Sequence, residues 1–103
     1  MKTILSSSQI IGTVTRDQND LEVCATADAK FDEDHSQLLM ELDSFVRPVD
    51  LLSKEKHLEA GWLPKKQNTK DSVSAEEAPA LARDIFHRWV RTVRQSIPSP
   101  VHN

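Results

Sequence analysis

One cysteine, two glycines, no tyrosine and no long apolar run set the first limits on this chain of 103 residues. With Cys24 alone, an intrachain disulfide and a cysteine cage for zinc are both excluded. Gly12 and Gly61 stand far apart, so the sequence holds no glycine-rich phosphate loop. Its apolar stretches fall short of the roughly 18 residues a membrane-spanning helix needs, and the apolar part of the opening MKTILSSSQ is too short for a secretory signal. The expectation is a cytoplasmic protein that does not enter a membrane, with Cys24 a small buried strand residue rather than a reactive thiol.

Catalytic groupings are equally scarce. His57, His87 and His102 are scattered, and no two histidines have the four-residue spacing of helical zinc pairs. The serines, including Ser6 to Ser8, lie outside any nucleophile-elbow context. The acids of DEDH at 32–35 lack the spacing and the glycine of a calcium loop, and a helix N-terminal cap accounts for them. No enzymatic activity, no cofactor and no metal site is expected.

The charge that is present is unevenly placed. The net −3 conceals four bases against ten acids in residues 1–52, and nine bases against six acids in residues 53–103. Such a bipolar chain either offers an anionic partner a site in its second half or folds its halves onto one another.

Length predicts one small domain, residues 1–103. QIIGTVT and LEVCAT carry β-branched and alternating apolar residues on either side of the turn-forming RDQND, which predicts a hairpin over 9–26 with a loop of four or five residues. In DEDHSQLLMELDSFV, the residues Leu38, Leu39, Leu42, Phe45 and Val46 recur at three and four, predicting a helix that opens on the acids and is stopped or kinked at Pro48. VDLLSKEKHLEAGW then reads as its continuation or as a second, shorter helix closed by Gly61. Residues 61–74 show no periodicity and read as a loop, made basic by Lys65, Lys66 and Lys70. A long amphipathic helix follows. Its start is marked by the capping-box spacing of Ser74 and Glu77, or by Pro79 in its first turn, and PSPVHN is a loose tail over 98–103. The expected fold is therefore α+β: an N-terminal β-hairpin packed against a bent helix or helix pair, plus the C-terminal helix. An all-α fold with a disordered N-terminus is the alternative.

The stretch FHRWVRTVRQ within the last helix carries the one candidate site. At 100° per residue, Arg83, Arg91 and Arg94 fall within about 40° of His87. Ala82, Phe86, Trp89, Val90, Val93 and Ile97 lie on the other side and read as core. Arg88 stands four residues after Asp84, the favourable order for a helical ion pair. The basic stripe has four readings: a solvated face complementing the negative helix end, a partner for Asp32, Glu33 and Asp34 or other acids of the first half, a docking surface for an acidic protein or an anion, or a contact for nucleic acid. The last is disfavoured, because the acidic chain offers few phosphate contacts and the helix aromatics lie away from the arginines. Lys65 and Lys66, with Trp62 as an aromatic anchor, are further candidates for the same partner surface, although Trp62 also fits the core. Function follows by elimination: a non-enzymatic interaction or adaptor module for an acidic protein surface. A nucleic-acid-associated regulator comes second. A self-associating homodimer, using apolar surface on the last helix, comes third.

Overall fold

Asp17 and Gln18 both adopt left-handed backbone, φ 50 and 67, and that pair of conformations turns the chain through a two-residue hairpin whose twist matches its strands. Arg16 pairs with Asn19 across it. The loop is shorter than RDQND suggests and the strands are longer: β1 spans Lys2–Arg16 and β2 spans Asn19–Asp32. The computed structural model describes residues 1–50 and 57–98.

The expected bent helix or helix pair is absent from the described residues. Residues Gln37–Pro48 form a strand, β3, antiparallel to β2 from Gln37↔Asp32 to Pro48↔Leu21. The acids at 32–34 cap no helix; they begin the tight turn between these strands. Asp32 Oδ1 accepts the backbone N–H of Asp34 at 3.1 Å and of His35 at 3.4 Å, and its Oδ2 lies 2.9 Å from His35 Nδ1. Ser36, φ 49, completes the reversal. The proposed second helix falls partly on residues 51–56, outside the described residues. Leu58 is not helical: it exchanges backbone hydrogen bonds with Val46, 2.7 and 3.1 Å long. The stretch read as a loop contains a further strand, β4, Gln67–Ser72, which pairs with β3. Of the expected tail, residues 99–103 lie outside the described residues.

The sheet is thus a four-stranded antiparallel meander in the order β1-β2-β3-β4. One helix, α1 over Ala78–Ser96, follows and lies across β1, β2 and β3. Ser74 starts the turn before it, its Oγ accepting the Glu77 N–H at 3.2 Å. Pro79 occupies the first turn, where a missing N–H costs no helical bond.

The core forms between α1 and one face of the sheet. Along β2 that face carries Leu21, Val23, Ala25, Ala27, Ala29 and Phe31, and opposite them β3 sets Val46, Leu42, Met40 and Leu38. All are buried. The three alanines, with Ala78 and Ala82 on the helix, let the elements approach closely, and Phe86, Trp89, Val90 and Val93 fill the remaining space. Each large side chain fully withdrawn from water contributes about 1.5–3 kcal/mol. Trp89 also donates its Nε1–H to the Asp43 carbonyl oxygen at 2.8 Å, tying helix to sheet.

The Asp32 turn makes stability depend on pH in a definite sense. The His35 side chain, and then the His35 and Asp34 amides, hold the Asp32 carboxyl below its ordinary range against a smaller opposing effect of burial. A carboxyl depressed in the folded state stabilises above its unfolded pKa, about 3.9, and loses that contribution as pH falls through the folded value. Asp32→Asn is therefore expected to melt below wild type at pH 5 to 7, with the gap closing in acid. Melting curves from neutral pH down to well below about 3.9 check it, and a gap that widens in acid would reverse the assignment.

Candidate functional site

Because Ala82, Phe86, Trp89, Val90 and Val93 are buried against the sheet, the helical repeat turns Arg83, His87, Arg91 and Arg94 to solvent. All four are exposed. They run along α1 for about 16 Å at 1.5 Å per residue. Asp84 and Arg88, beside the stripe, satisfy one another: Arg88 Nη2 donates to Asp84 Oδ2 at 3.1 Å, the i,i+4 pair that the spacing implies. Arg83, Arg91 and Arg94 make no ion pair among the described residues. Among the described residues no ion pair joins the stripe to the acids at 32–34 either; Asp32 is engaged by His35 within its own turn. The stripe stands uncompensated on a docked helix.

The other sequence candidates lie elsewhere. Lys66 Nζ is 3.8 Å from Glu41 Oε2. Strand alternation places Glu41 on the sheet face away from α1, since its neighbours Met40 and Leu42 point into the core. Lys70, opposite Leu39, shares that far face. These two lysines therefore do not extend the arginine stripe. Lys65 is exposed just before β4, and among the described residues no ion pair ties it to α1. Trp62 is half-buried against the core and lines a cleft of about 550 Å³ with Val14, Leu21, Val46 and Ile97.

The far face of the sheet went unread in the sequence. A hollow of about 680 Å³ there is lined by residues including Asp28, Lys30, Leu39, Glu41, Asn68 and Lys70. Its charged side chains, Asp28 and Glu41 against Lys30 and Lys70, offset one another in number. Further along, Phe45 stacks on His57 with ring centroids 3.9 Å apart. Arg47 Nε donates to Glu22 Oε2 at 2.9 Å, a bond that raises the guanidinium pKa further, with the Cys24 side adding to it. Cys24 itself is fully buried, which removes it from solvent-borne substrates. Strand alternation in 37–48, had it been preferred to helical spacing, would have put Glu41, Asp43 and Phe45 on this face.

Among the described residues, no three histidine, cysteine or acidic side chains are grouped to hold a metal ion, and no helix is long and apolar enough to cross a membrane. Compared with known proteins, the chain matches no family model, no curated protein and no solved structure.

Proposed function

We propose that this protein is a non-enzymatic interaction module that presents the Arg83–His87–Arg91–Arg94 face of α1 to an acidic protein surface. The observation that carries the reading is the stripe's isolation: three arginines aligned on one docked helix, with no acid among the described residues paired to them. Arginine suits this role, because its planar fork meets carboxylates in two parallel hydrogen bonds. A helix held by a buried opposite face spends little ordering entropy on binding. Acidic protein is favoured over nucleic acid because the exposed face lacks aromatics and the whole chain is net negative. The reading sets the protein in the cytoplasm, where a lone thiol stays reduced.

The test is a titration of isotope-labelled protein, followed by NMR, with a glutamate-rich peptide and separately with duplex DNA at the same low salt. Amide shifts confined to 83–94 are expected with the peptide and should fade as salt screens the charges. Replacing Arg83, Arg91 and Arg94 together by glutamate should weaken peptide binding at least about tenfold, since three exposed pairs worth up to about 1 kcal/mol each become repulsive. These positions are exposed, so the variant should melt within about 1 kcal/mol of wild type. Undiminished binding by the variant would sink the proposal, and tighter binding of DNA than of peptide would transfer the stripe to nucleic acid.

A further inference from the structure

Ala82, Phe86, Trp89, Val90 and Val93 of α1 are taken up by its own sheet, while Leu81, Ile85 and Ile97 stay partly exposed at the margins of that arc. The strand order leaves two open edges. That of β4 is six residues long and carries Lys70 and Asp71. That of β1 is fifteen residues long, and from Thr3 to Thr15 it bears no charged side chain and no proline; Lys2 and Arg16 stand only at its ends. Edge strands that remain single are blunted by charge, proline, shortness, bulges or cover. Among the described residues no strand pairs with the outer side of β1. Two register shifts, between Thr3 and Leu5 and between Ile10 and Gly12, bracket an unbroken run, Leu5 to Ile10. Bulges of this kind interrupt pairing at the two ends of the strand and leave its middle open. Ile10, half exposed, closes that run on the sheet face away from α1.

We propose that β1 pairs antiparallel with β1 of a second copy within the run Leu5 to Ile10, through Leu5 to Gln9 about a twofold axis at Ser7 or through Ser6 to Ile10 about one at Ser8, joining two sheets into one of eight strands. The chemistry of the edge selects the occupant. A neutral run offers a charged partner no complement, whereas a twofold axis sets it against the same neutral run: about Ser7, Ser6 faces Ser8 and Leu5 faces Gln9, and about Ser8, Ser6 faces Ile10 and Ser7 faces Gln9. Main-chain hydrogen bonds supply the affinity, as in strand addition generally. Because alternate residues share a face, either axis keeps both helices on one side of the joined sheet.

Sedimentation equilibrium of the full chain across a dilution series tests this. Wild type is expected to rise from the monomer mass of 11.6 kDa toward twice that value with concentration. The double variant S6K/S8K should hold the monomer mass over the same range. Both serines are exposed on the far face, so the lysines spare the core yet confront one another across the twofold axis. N68K, on the β4 edge, should dimerise like wild type. Amide hydrogen exchange of wild type gives a readout that needs no variant to fold: protection within residues 5–10 should grow with concentration. A wild type that stays monomeric with concentration-independent exchange, a dimer that survives S6K/S8K, or one that N68K breaks would each overturn the proposal.

Discussion

Replacing Trp89 by alanine is expected to remove about 3–5 kcal/mol of folding stability. The indole is 3% exposed and sits between Phe86 and Val93 in the row that α1 presses onto the sheet. Truncation leaves a void where the ring stood, and it deprives the Asp43 carbonyl of its Nε1–H donor in a partly buried place. Trp89→Phe separates the two effects, keeping most of the apolar volume while losing the donor, and should cost about 1–2 kcal/mol. Small domains hold only about 5–15 kcal/mol in total, so the alanine variant should be substantially unfolded at moderate denaturant where the phenylalanine variant remains folded. Urea titrations followed by far-ultraviolet circular dichroism read both. The comparison also bears on the arginine face, which is held in place only because the opposite face is docked. Trp89→Ala should weaken acidic-peptide binding through loss of folded protein, whereas the triple arginine reversal should weaken it with the fold intact. A loss below about 1 kcal/mol for Trp89→Ala would mean that the ring does not anchor the helix.

What could be read from sequence depended on whether the deciding contact was local. The last helix was legible because its signal is repeated within one segment: Ala82, Phe86, Trp89, Val90 and Val93 recur at helical spacing, and all are buried. So was the Asp84–Arg88 pair, whose partners lie one turn apart. The first hairpin was legible as alternating β-branched residues around a polar turn, although the turn proved to be two residues of left-handed backbone. β3 was misread because two templates fit it. Leu38, Leu39, Leu42, Phe45 and Val46 make a helical face, while Leu38, Met40, Leu42 and Val46 make a strand face. What chooses between them is non-local: β2 presents an apolar row that an isolated hairpin cannot cover, and a strand alongside lets α1 cover both rows at once. β4 gave no apolar signal at all, since QNTKDS contains none and is held as a strand by its ladder with β3. The members of the arginine stripe were legible, but not their isolation, which required knowing that Asp32 is tied into a hairpin turn.

The two templates for residues 37–48 make opposite statements about adjacent leucines, and one pair of variants decides between them. A helical face would bury Leu38 and Leu39 together. The strand sends them to opposite sides of the sheet: Leu38 is 0% exposed, opposite Phe31 in the core, while Leu39 is half-buried on the far face opposite Lys30 and Lys70. Leu38→Ala should therefore cost about 2–5 kcal/mol, the transfer of its lost methyl groups plus the cavity left beside Phe31 and Met40. Leu39→Ala should cost less than about 1 kcal/mol, because solvent already reaches that side chain and can fill the space. The ratio is the informative quantity, since both variants remove the same atoms from the same backbone and share an unfolded state to within one sequence position. Equal losses at the two leucines would restore the helical reading of this segment and, with it, displace β4 from the sheet, because among the described residues β4 has no other strand to pair with. A large loss at Leu38 with little at Leu39 fixes β3 as the strand that carries one side of the core and, through the Asp43 carbonyl on its backbone, the anchor for Trp89 that turns the arginine face outward.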